Sequence, residues 1–440
     1  MTANKLQSRI EAGEAVVGVV GLGYVGLPLV LTFGRAGIRV IGFDVDDSKI
    51  LDLHAGRSYL KHIPSEQIAK LCEKDIFLAT SSFSKVAECD AILLCVPTPL
   101  TKHREPDMIY IEGTARSIAP HLREGQIVVL ESTTYPGTSD ELLRHHLEAG
   151  SGLTAGVDFH LAYSPEREDP GNSSFDTQRI PKLVGGLTDE CQKAAVSLYE
   201  MALDKVVPVS SMRVAEMTKL FENVFRSVNI ALVNELKMLC DRMDVDVWEV
   251  IEAASTKPFG FMPFHPGPGL GGHCIPVDPF YLTWKAREFE LSTRFIELAG
   301  EINTYMPRYV LTRTVEALNC FGKPLREANV LILGVAYKKD VDDVRESPAM
   351  KIIELLQDRG ADVTYHDPFI EKIPPMRKHD IDLSSVELTD DVLRDCDVAI
   401  VVTDHGNVDY QRVANLAPLI VDTRGVMRHV DAPAIKIVTA

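Results

Sequence analysis

Metal-knuckle and disulfide patterns are missing from this chain. Its eight cysteines, at positions 72, 89, 95, 191, 240, 274, 320 and 396, form no Cys-x-x-Cys pair and no zinc spacing. That excludes a disulfide-stapled secreted scaffold and reads as free thiols in a reducing cytoplasm, with no metal centre. Positive charge is also scarce, with 46 Lys and Arg against 63 Asp and Glu and a formal net charge of -17. Nucleic acid is therefore excluded as a partner, because phosphate-backbone binding needs clustered cations. A phosphorylated small molecule is not excluded, since it needs only local amides and one or two cations. The polar stretch Met1 to Glu14 lacks the apolar core of a signal peptide, so export is not indicated. One uncharged run, Ala15 to Gly34, has the hydropathy of a membrane span, but Gly21, Gly23, Gly26 and Pro28 would punctuate such a helix. It reads instead as a buried parallel strand entering a glycine turn and a helix, with no membrane involved.

What the chain does have is length and repetition. At 440 residues it exceeds one ordinary core, and roughly 150 residues per domain predicts two or three. From Val16 the order is strand, Gly-Leu-Gly-Tyr-Val-Gly from Gly21 to Gly26, helix through Arg35, then a second strand Arg39-Val40-Ile41-Gly42-Phe43 ending at Asp44. This is G-x-G-x-x-G in the context it requires. Gly21 permits the tight turn, Gly23 lets a pyrophosphate approach the backbone, and Gly26 lets helix and strand pack. The acid closing the second strand suits a ribose 2′-hydroxyl and repels a 2′-phosphate, so NAD is expected rather than NADP. Later strands end at Pro97-Thr98-Pro99 and at Glu131-Ser132-Thr133, and ligands of such sheets gather at the carboxyl ends of strands.

The architecture recurs near the C-terminus. Asn329 to Gly334 reads as a strand, Ala361 to Pro368 echoes the strand ending at Asp44, Cys396 to Val402 matches Cys89 to Leu94, and Leu419 to Thr423 matches the strand before Ser132. A second doubly wound sheet is expected, with the glycine fingerprint of its first turn lost. The segment Tyr337 to Ser347 replaces it and offers cations to a phosphate-bearing ligand other than NAD. Between the halves, Val214 to Asp241 carries Ala215, Leu220, Val224, Val228, Ala231, Leu232 and Leu236 at helical intervals, predicting a long buried helix. Lys219 and Asn223 share one face of it, although Lys219 could simply pair with Glu216 and Asn223 could cap or face water. Downstream, Pro266 to Pro279 presents Cys274 on a loop lined by Gly267, Gly269, Gly271 and Gly272. A thiol so placed can act as a nucleophile beside a nicotinamide, or it can be an ordinary structural cysteine. A Cys-His dyad with the adjacent His273 is not expected, because neighbouring side chains in an extended loop tend to point apart.

The fingerprint, the Lys219 and Asn223 helix, and the loop Gly271-Gly272-His273-Cys274-Ile275-Pro276-Val277-Asp278 together resemble the UDP-glucose/GDP-mannose dehydrogenase family over nearly the whole chain. Ser164-Pro165-Glu166-Arg167-Glu168-Asp169-Pro170-Gly171 and Lys257-Pro258-Phe259-Gly260-Phe261-Met262-Pro263-Phe264 look most like UDP-N-acetylglucosamine 6-dehydrogenases. The resemblance implies two doubly wound Rossmann-like parallel-sheet domains joined by a central helical region: an NAD-binding domain over 1–210, a helical, dimerising domain with the catalytic loop over 211–315, and a UDP-sugar-binding domain over 316–440. It implies four-electron oxidation of a sugar C6 alcohol to a carboxylate by two NAD+, in a cytoplasmic homodimer or higher homo-oligomer.

The resemblance also distributes roles. Cys274 would carry the carbonyl as thiohemiacetal and thioester, Asp278 would assist removal of the hydroxyl proton, and Lys219 and Asn223 would stabilise oxyanions. Glu166 would direct the hydrolytic water, with Thr133 holding it. The cofactor set comprises Gly21, Gly23, Tyr24, Val25, Gly26, Asp44, Lys49, Pro97, Thr98 and Thr133. Glu166, Lys219, Asn223, Phe264, Gly271, Tyr337, Lys338 and Arg424 form the substrate set. No Arg stands in Lys257 to Gly260, where many UDP-glucose dehydrogenases supply one to the neighbouring subunit. UDP-glucose and UDP-N-acetylmannosamine remain alternative substrates, and a two-electron hydroxyacid dehydrogenase or a silent nucleotide-sugar-binding module remain alternative classes.

Overall fold

Runs of apolar residues without alternation make strands buried on both faces, and the central strands of both sheets are built from them. The computed structural model describes residues 3–60, 63–101, 103–167, 179–272, 275–376, 378–431, 433 and 436–440. The chain divides into two units, Met1–Glu222 with Trp284–Leu291, and Asn223–Thr283 with Ser292–Ala440.

The first unit holds β1 (Val16–Val20), β2 (Arg39–Phe43), β3 (Phe77–Thr80), β4 (Ala91–Leu94), β5 (Ile127–Leu130), β6 (His160–Tyr163), β7 (Lys182–Gly186) and β8 (Val206–Pro208). They form one sheet in the order β3-β2-β1-β4-β5-β6-β7-β8, parallel except where β7 meets β6. Successive side chains alternate between its two faces. Val17, Val19, Val40, Leu93 and Val129 enter one core, while Val16, Val20, Ile41, Ile92, Leu94 and Val128 enter the other. Chain order reverses between β1 and β4, which opens a ligand crevice at their carboxyl ends.

In the second unit β9 (Asn329–Leu333), β10 (Asp362–His366), β11 (Val398–Val401), β12 (Ile420–Asp422) and β13 (Ile437–Thr439) form an all-parallel sheet, order β10-β9-β11-β12-β13. The repeat extends to single hydrogen bonds. Asp90, just before β4, accepts from Val16 N at 3.0 Å, and Asp397, just before β11, accepts from Asn329 N at 2.9 Å. The turn after β9 carries no G-x-G-x-x-G, yet Gly334 keeps the place of its first glycine. Gly334 has φ +80°, and a Cβ there would lie 2.3 Å from the Thr403 carbonyl; Gly21 has φ +92°, with 2.4 Å to the Cys95 carbonyl. Only glycine fits a left-handed turn pressed that closely against a neighbouring strand.

The central helix runs from Met212 to Met243, slightly beyond the predicted span. It is not buried all round: Ala215, Leu220 and Ala231 are buried, whereas Leu232 is 60% exposed. Periodicity marks an apolar stripe, and Leu232, next to buried Ala231, falls about 100° away around the axis.

Candidate active site

The fingerprint turn is shaped by contacts that leave one side open. A Cβ on Gly26 would strike the Gly21 carbonyl at 1.9 Å, so helix Gly26–Arg35 can begin there only with glycine, whereas a Cβ on Gly23 would meet no atom within 4 Å. Such an opening over the first amides of a helix is where a pyrophosphate binds. Asp44, 7% exposed, accepts from Leu22 N at 2.9 Å and Lys49 Nζ at 3.1 Å through Oδ2, and from Asp46 N at 3.0 Å through Oδ1. Oδ1 keeps acceptor capacity for a ribose hydroxyl. The Tyr59 hydroxyl donates to the Leu22 carbonyl, and burial, reinforced by Asp44, raises its pKa. Pro97 and Thr98 follow β4 and Thr133 follows β5, at the same edge of the sheet. Val25 and Leu29 of the glycine-turn helix line an open cleft together with Glu166, Arg167, Ile180, Pro181 and Lys182. These residues fit a dinucleotide: an open pyrophosphate approach, an acid for the ribose, and a cleft leading to Glu166.

Behind that cleft the Ser164-Pro165-Glu166 segment is held by charge. Lys219 Nζ donates to the Glu166 carbonyl and lies 3.4 Å from Glu166 Oε2. Glu216, offered by sequence as a partner for Lys219, instead accepts from Gly137 N at 2.8 Å, Ser139 N at 2.9 Å and Ser139 Oγ at 2.7 Å. Burial pushes its carboxyl up to about 7 despite those donors. Sequence reading missed a second group. Glu131, buried just past β5, accepts from Lys182 Nζ and the Tyr199 hydroxyl, and Lys182 also donates to the Pro165 carbonyl at 3.2 Å. Burial raises the Glu131 pKa, opposed by Lys182. The only sequence signals were a carboxylate directly after an apolar strand and a lysine opening another.

In the second unit, Asn223 Nδ2 donates to Asp278 Oδ2 and Arg226 donates to Asn223 Oδ1; both Asn223 and Asp278 are buried. Asn223 therefore neither caps a helix nor faces water. The glycine loop packs against two members of the expected substrate set. A Cβ on Gly267 would lie 2.8 Å from an Arg424 nitrogen, and one on Gly271 would lie 2.8 Å from Tyr337 Cβ. Arg424 is further fixed by its Nε donating to the Val402 carbonyl at 2.8 Å. Phe264 packs edge-on against Phe225, ring centroids 5.7 Å apart. Lys338 is half-buried in the turn after β9. Within the cationic segment Arg345 is paired with Asp343, at 2.9 and 3.0 Å through Nε. His273 and Cys274 lie outside the described residues, as do Glu168 to Gly171.

Three family descriptions match the chain in succession: the NAD binding domain of the UDP-glucose/GDP-mannose dehydrogenase family over residues 15–203, its central domain over 213–305 and its UDP binding domain over 331–429. The chain is 35% identical over 427 residues to an NDP-N-acetyl-D-galactosaminuronic acid dehydrogenase of Ralstonia nicotianae, covering 95% of this chain and 97% of that one. The protein belongs to the UDP-glucose/GDP-mannose dehydrogenase family. A UDP-N-acetyl-D-glucosamine 6-dehydrogenase of Pseudomonas aeruginosa is 36% identical over 366 residues, covering 83% of this chain and 85% of that one. Among solved structures, a UDP-D-ManNAc dehydrogenase from Pyrococcus horikoshii superposes with a TM-score of 0.86 at 29% identity, covering 96% of this chain and 98% of that one. The dehydrogenase is thus an NAD-dependent nucleotide-sugar oxidoreductase with a UDP-sugar substrate. Among the described residues no helix is long and apolar enough to cross a membrane.

Proposed function

We propose that the enzyme oxidises C6 of UDP-N-acetyl-D-glucosamine to the uronate, consuming two NAD+ and one water and yielding a carboxylate, two NADH and three protons. Gly21, Gly23, Gly26 and Asp44 would hold NAD, which would supply the hydride acceptor for each oxidation. Asp278, gripped by Asn223, assists departure of the C6 hydroxyl proton. The Cys274 thiolate adds to the resulting aldehyde, and the thiohemiacetal is oxidised to a thioester without release of the aldehyde. Lys219 and Asn223, one turn apart on the helix Met212–Met243, carry a cation and an amide donor suited to the oxyanions formed. Glu166, with Thr133, directs the water that cleaves the thioester, freeing the thiol and the carboxylate.

The observation that carries this reading is the packing of the glycine loop against Tyr337 and Arg424. It ties the strand of chain leading to Cys274 to the segment matched by the UDP binding domain. Tyr337, Lys338 and Arg424 would hold the UDP portion, with Gly271 and Phe264 beside the sugar. The division at 1–210, 211–315 and 316–440 and a homodimeric or higher assembly belong to the same proposal. An acetamide at C2 is supported by three relatives whose names carry an N-acetyl sugar. The gluco configuration rests on the Ser164 to Gly171 and Lys257 to Phe264 segments and on the 36% identical relative. The manno epimer is the second reading, favoured by the Pyrococcus horikoshii structure.

A panel of UDP-N-acetylglucosamine, UDP-N-acetylmannosamine, UDP-N-acetylgalactosamine and UDP-glucose, with NADH counted per sugar, tests it. Highest kcat/KM on UDP-N-acetylglucosamine with two NADH per turnover is expected. Preference for another sugar overturns the substrate, one NADH overturns the four-electron chemistry, and none overturns catalysis.

A further inference from the structure

The acid that ends β10 stands where Asp44 stands in the first sheet, yet its surroundings are filled by protein. Asp367 Oδ2 accepts from Val335 N at 2.7 Å and Ala336 N at 3.1 Å, the turn after β9, as Asp44 accepts from Leu22 N. Its Oδ1 accepts from Phe369 N at 2.8 Å and Ile370 N at 3.0 Å. The remaining donor to Oδ2 is a side chain: His405 Nε2 lies 3.1 Å away, with both side chains 0% exposed. The other ring nitrogen, Nδ1, receives Asp340 N at 3.0 Å. A main-chain amide can only donate, so Nδ1 bears the lone pair and Nε2 bears the proton that goes to Asp367. The grip is doubled, because Gly406 N donates to Asp340 Oδ1 at 2.7 Å. Phe369 closes over the ring at 5.0 Å between centroids.

We propose that His405 is a positioning residue for the UDP-sugar. Its imidazole on Oδ2, together with the Phe369 and Ile370 amides on Oδ1, takes up the acceptor capacity of Asp367 that a ribose hydroxyl would need, which closes the second sheet to NAD. Through the Asp340 amide it fixes the end of the Tyr337 to Asp340 turn, and so sets where Lys338 reaches. Both effects follow from a single neutral ring that donates to a fixed carboxylate and accepts from the turn. The inference rests on the reading of Tyr337 and Lys338 as UDP contacts.

Calorimetric titration of the full-length enzyme with UDP alone, beside steady-state kinetics, tests it. H405A should raise the Kd for UDP and the KM for the UDP-sugar at least 10-fold, while kcat at saturation and the KM for NAD+ change less than 3-fold. H405Q, whose amide offers an acceptor and a donor, should stay within 3-fold of wild type for UDP. If H405A does not fold, H405N, too short to reach both partners, takes its place. Wild-type affinity for UDP in H405A or H405N, an equal rise in the KM for NAD+, or an H405Q as weak as H405A would overturn the proposal. K338A separates the two layers. If it leaves UDP binding unchanged, the turn is not a UDP contact and both readings fall; if it weakens binding while H405A does not, only the role of His405 falls.

Discussion

Lys219 meets Glu166 twice, donating to its carbonyl and standing 3.4 Å from its carboxylate. The ammonium is thereby fixed by the Ser-Pro-Glu segment itself, and the same segment is held from behind by Lys182 through the Pro165 carbonyl. The residues proposed to stabilise oxyanions and to direct water are thus tied to one another, and the proposed steps are told apart by which kinetic phase each substitution slows.

Glu166→Gln should leave thiol attack and both oxidations intact and slow hydrolysis. NADH should appear in a burst, steady-state kcat should fall about 10²-fold or more, and mass spectrometry should find a uronyl adduct on the peptide containing Cys274. Cys274→Ser should bind NAD+ and UDP-sugar normally and lose most turnover, because a hydroxyl is a poorer nucleophile than a thiolate near neutral pH. Lys219→Ala should lower kcat by about 10² to 10³-fold, the usual effect of removing one oxyanion donor. An adduct on another cysteine, or wild-type turnover in Cys274→Ser, would sink the mechanism.

At the cofactor, Asp44 should make NAD+ far better than NADP+, since a 2′-phosphate would meet a carboxylate whose hydrogen bond it also displaces. Asp44→Asn should narrow that preference and raise the KM for NAD+ about 10-fold, with little change for the UDP-sugar. Equal kcat/KM for the two cofactors in the wild type would remove Asp44 from this role.

Two glycines of the same turn should behave oppositely. Gly21→Ala places a Cβ at 2.4 Å from a carbonyl in a left-handed backbone, so thermal melts should show a loss of about 3 kcal/mol or more. Gly23→Ala meets no atom within 4 Å, so stability should hold within about 1 kcal/mol while affinity for NAD+ drops at least 10-fold. Unchanged NAD+ affinity in Gly23→Ala would show that the pyrophosphate does not pass there.

Glu216 gives a pH signature with a defined sign. Its folded pKa of about 7 lies above the ordinary 4.5, so the folded state binds the proton more tightly than the unfolded chain. The resulting stability is complete below about pH 4.5 and is lost as pH rises to about 7, by about 3 kcal/mol in all. Denaturant titrations across that window should show wild type losing stability relative to Glu216→Gln as pH rises, with the difference flat above pH 8. A difference independent of pH would mean that Glu216 stays ionised throughout.

Much of the fold was legible because it is local. Short β-branched apolar runs bounded by glycine turns read as strands buried on both faces, and the spacing of Gly21, Gly23, Gly26 and Asp44 is set within one βαβ unit. The second sheet was legible by repetition, down to the Cys-Asp pair before β4 and β11 whose acids cap the first strand of each sheet. The survival of Gly334 as a left-handed glycine was not, because a lone glycine after a strand carries no spacing signal.

What the sequence by itself determined, then, is the nucleotide-binding architecture and the inventory of reactive residues, since strand burial and glycine turns depend on neighbours a few positions away. The tertiary structure alone decided which charge answers which. Lys219 meets Glu166 across 53 positions, Lys182 meets Glu131 across 51, and His405 meets Asp367 across 38. Buried charges must find partners or lose their charge, and parallel sheets bring together the ends of strands far apart in the chain. Composition can require such partners, but only packing selects among a surplus of acids and bases.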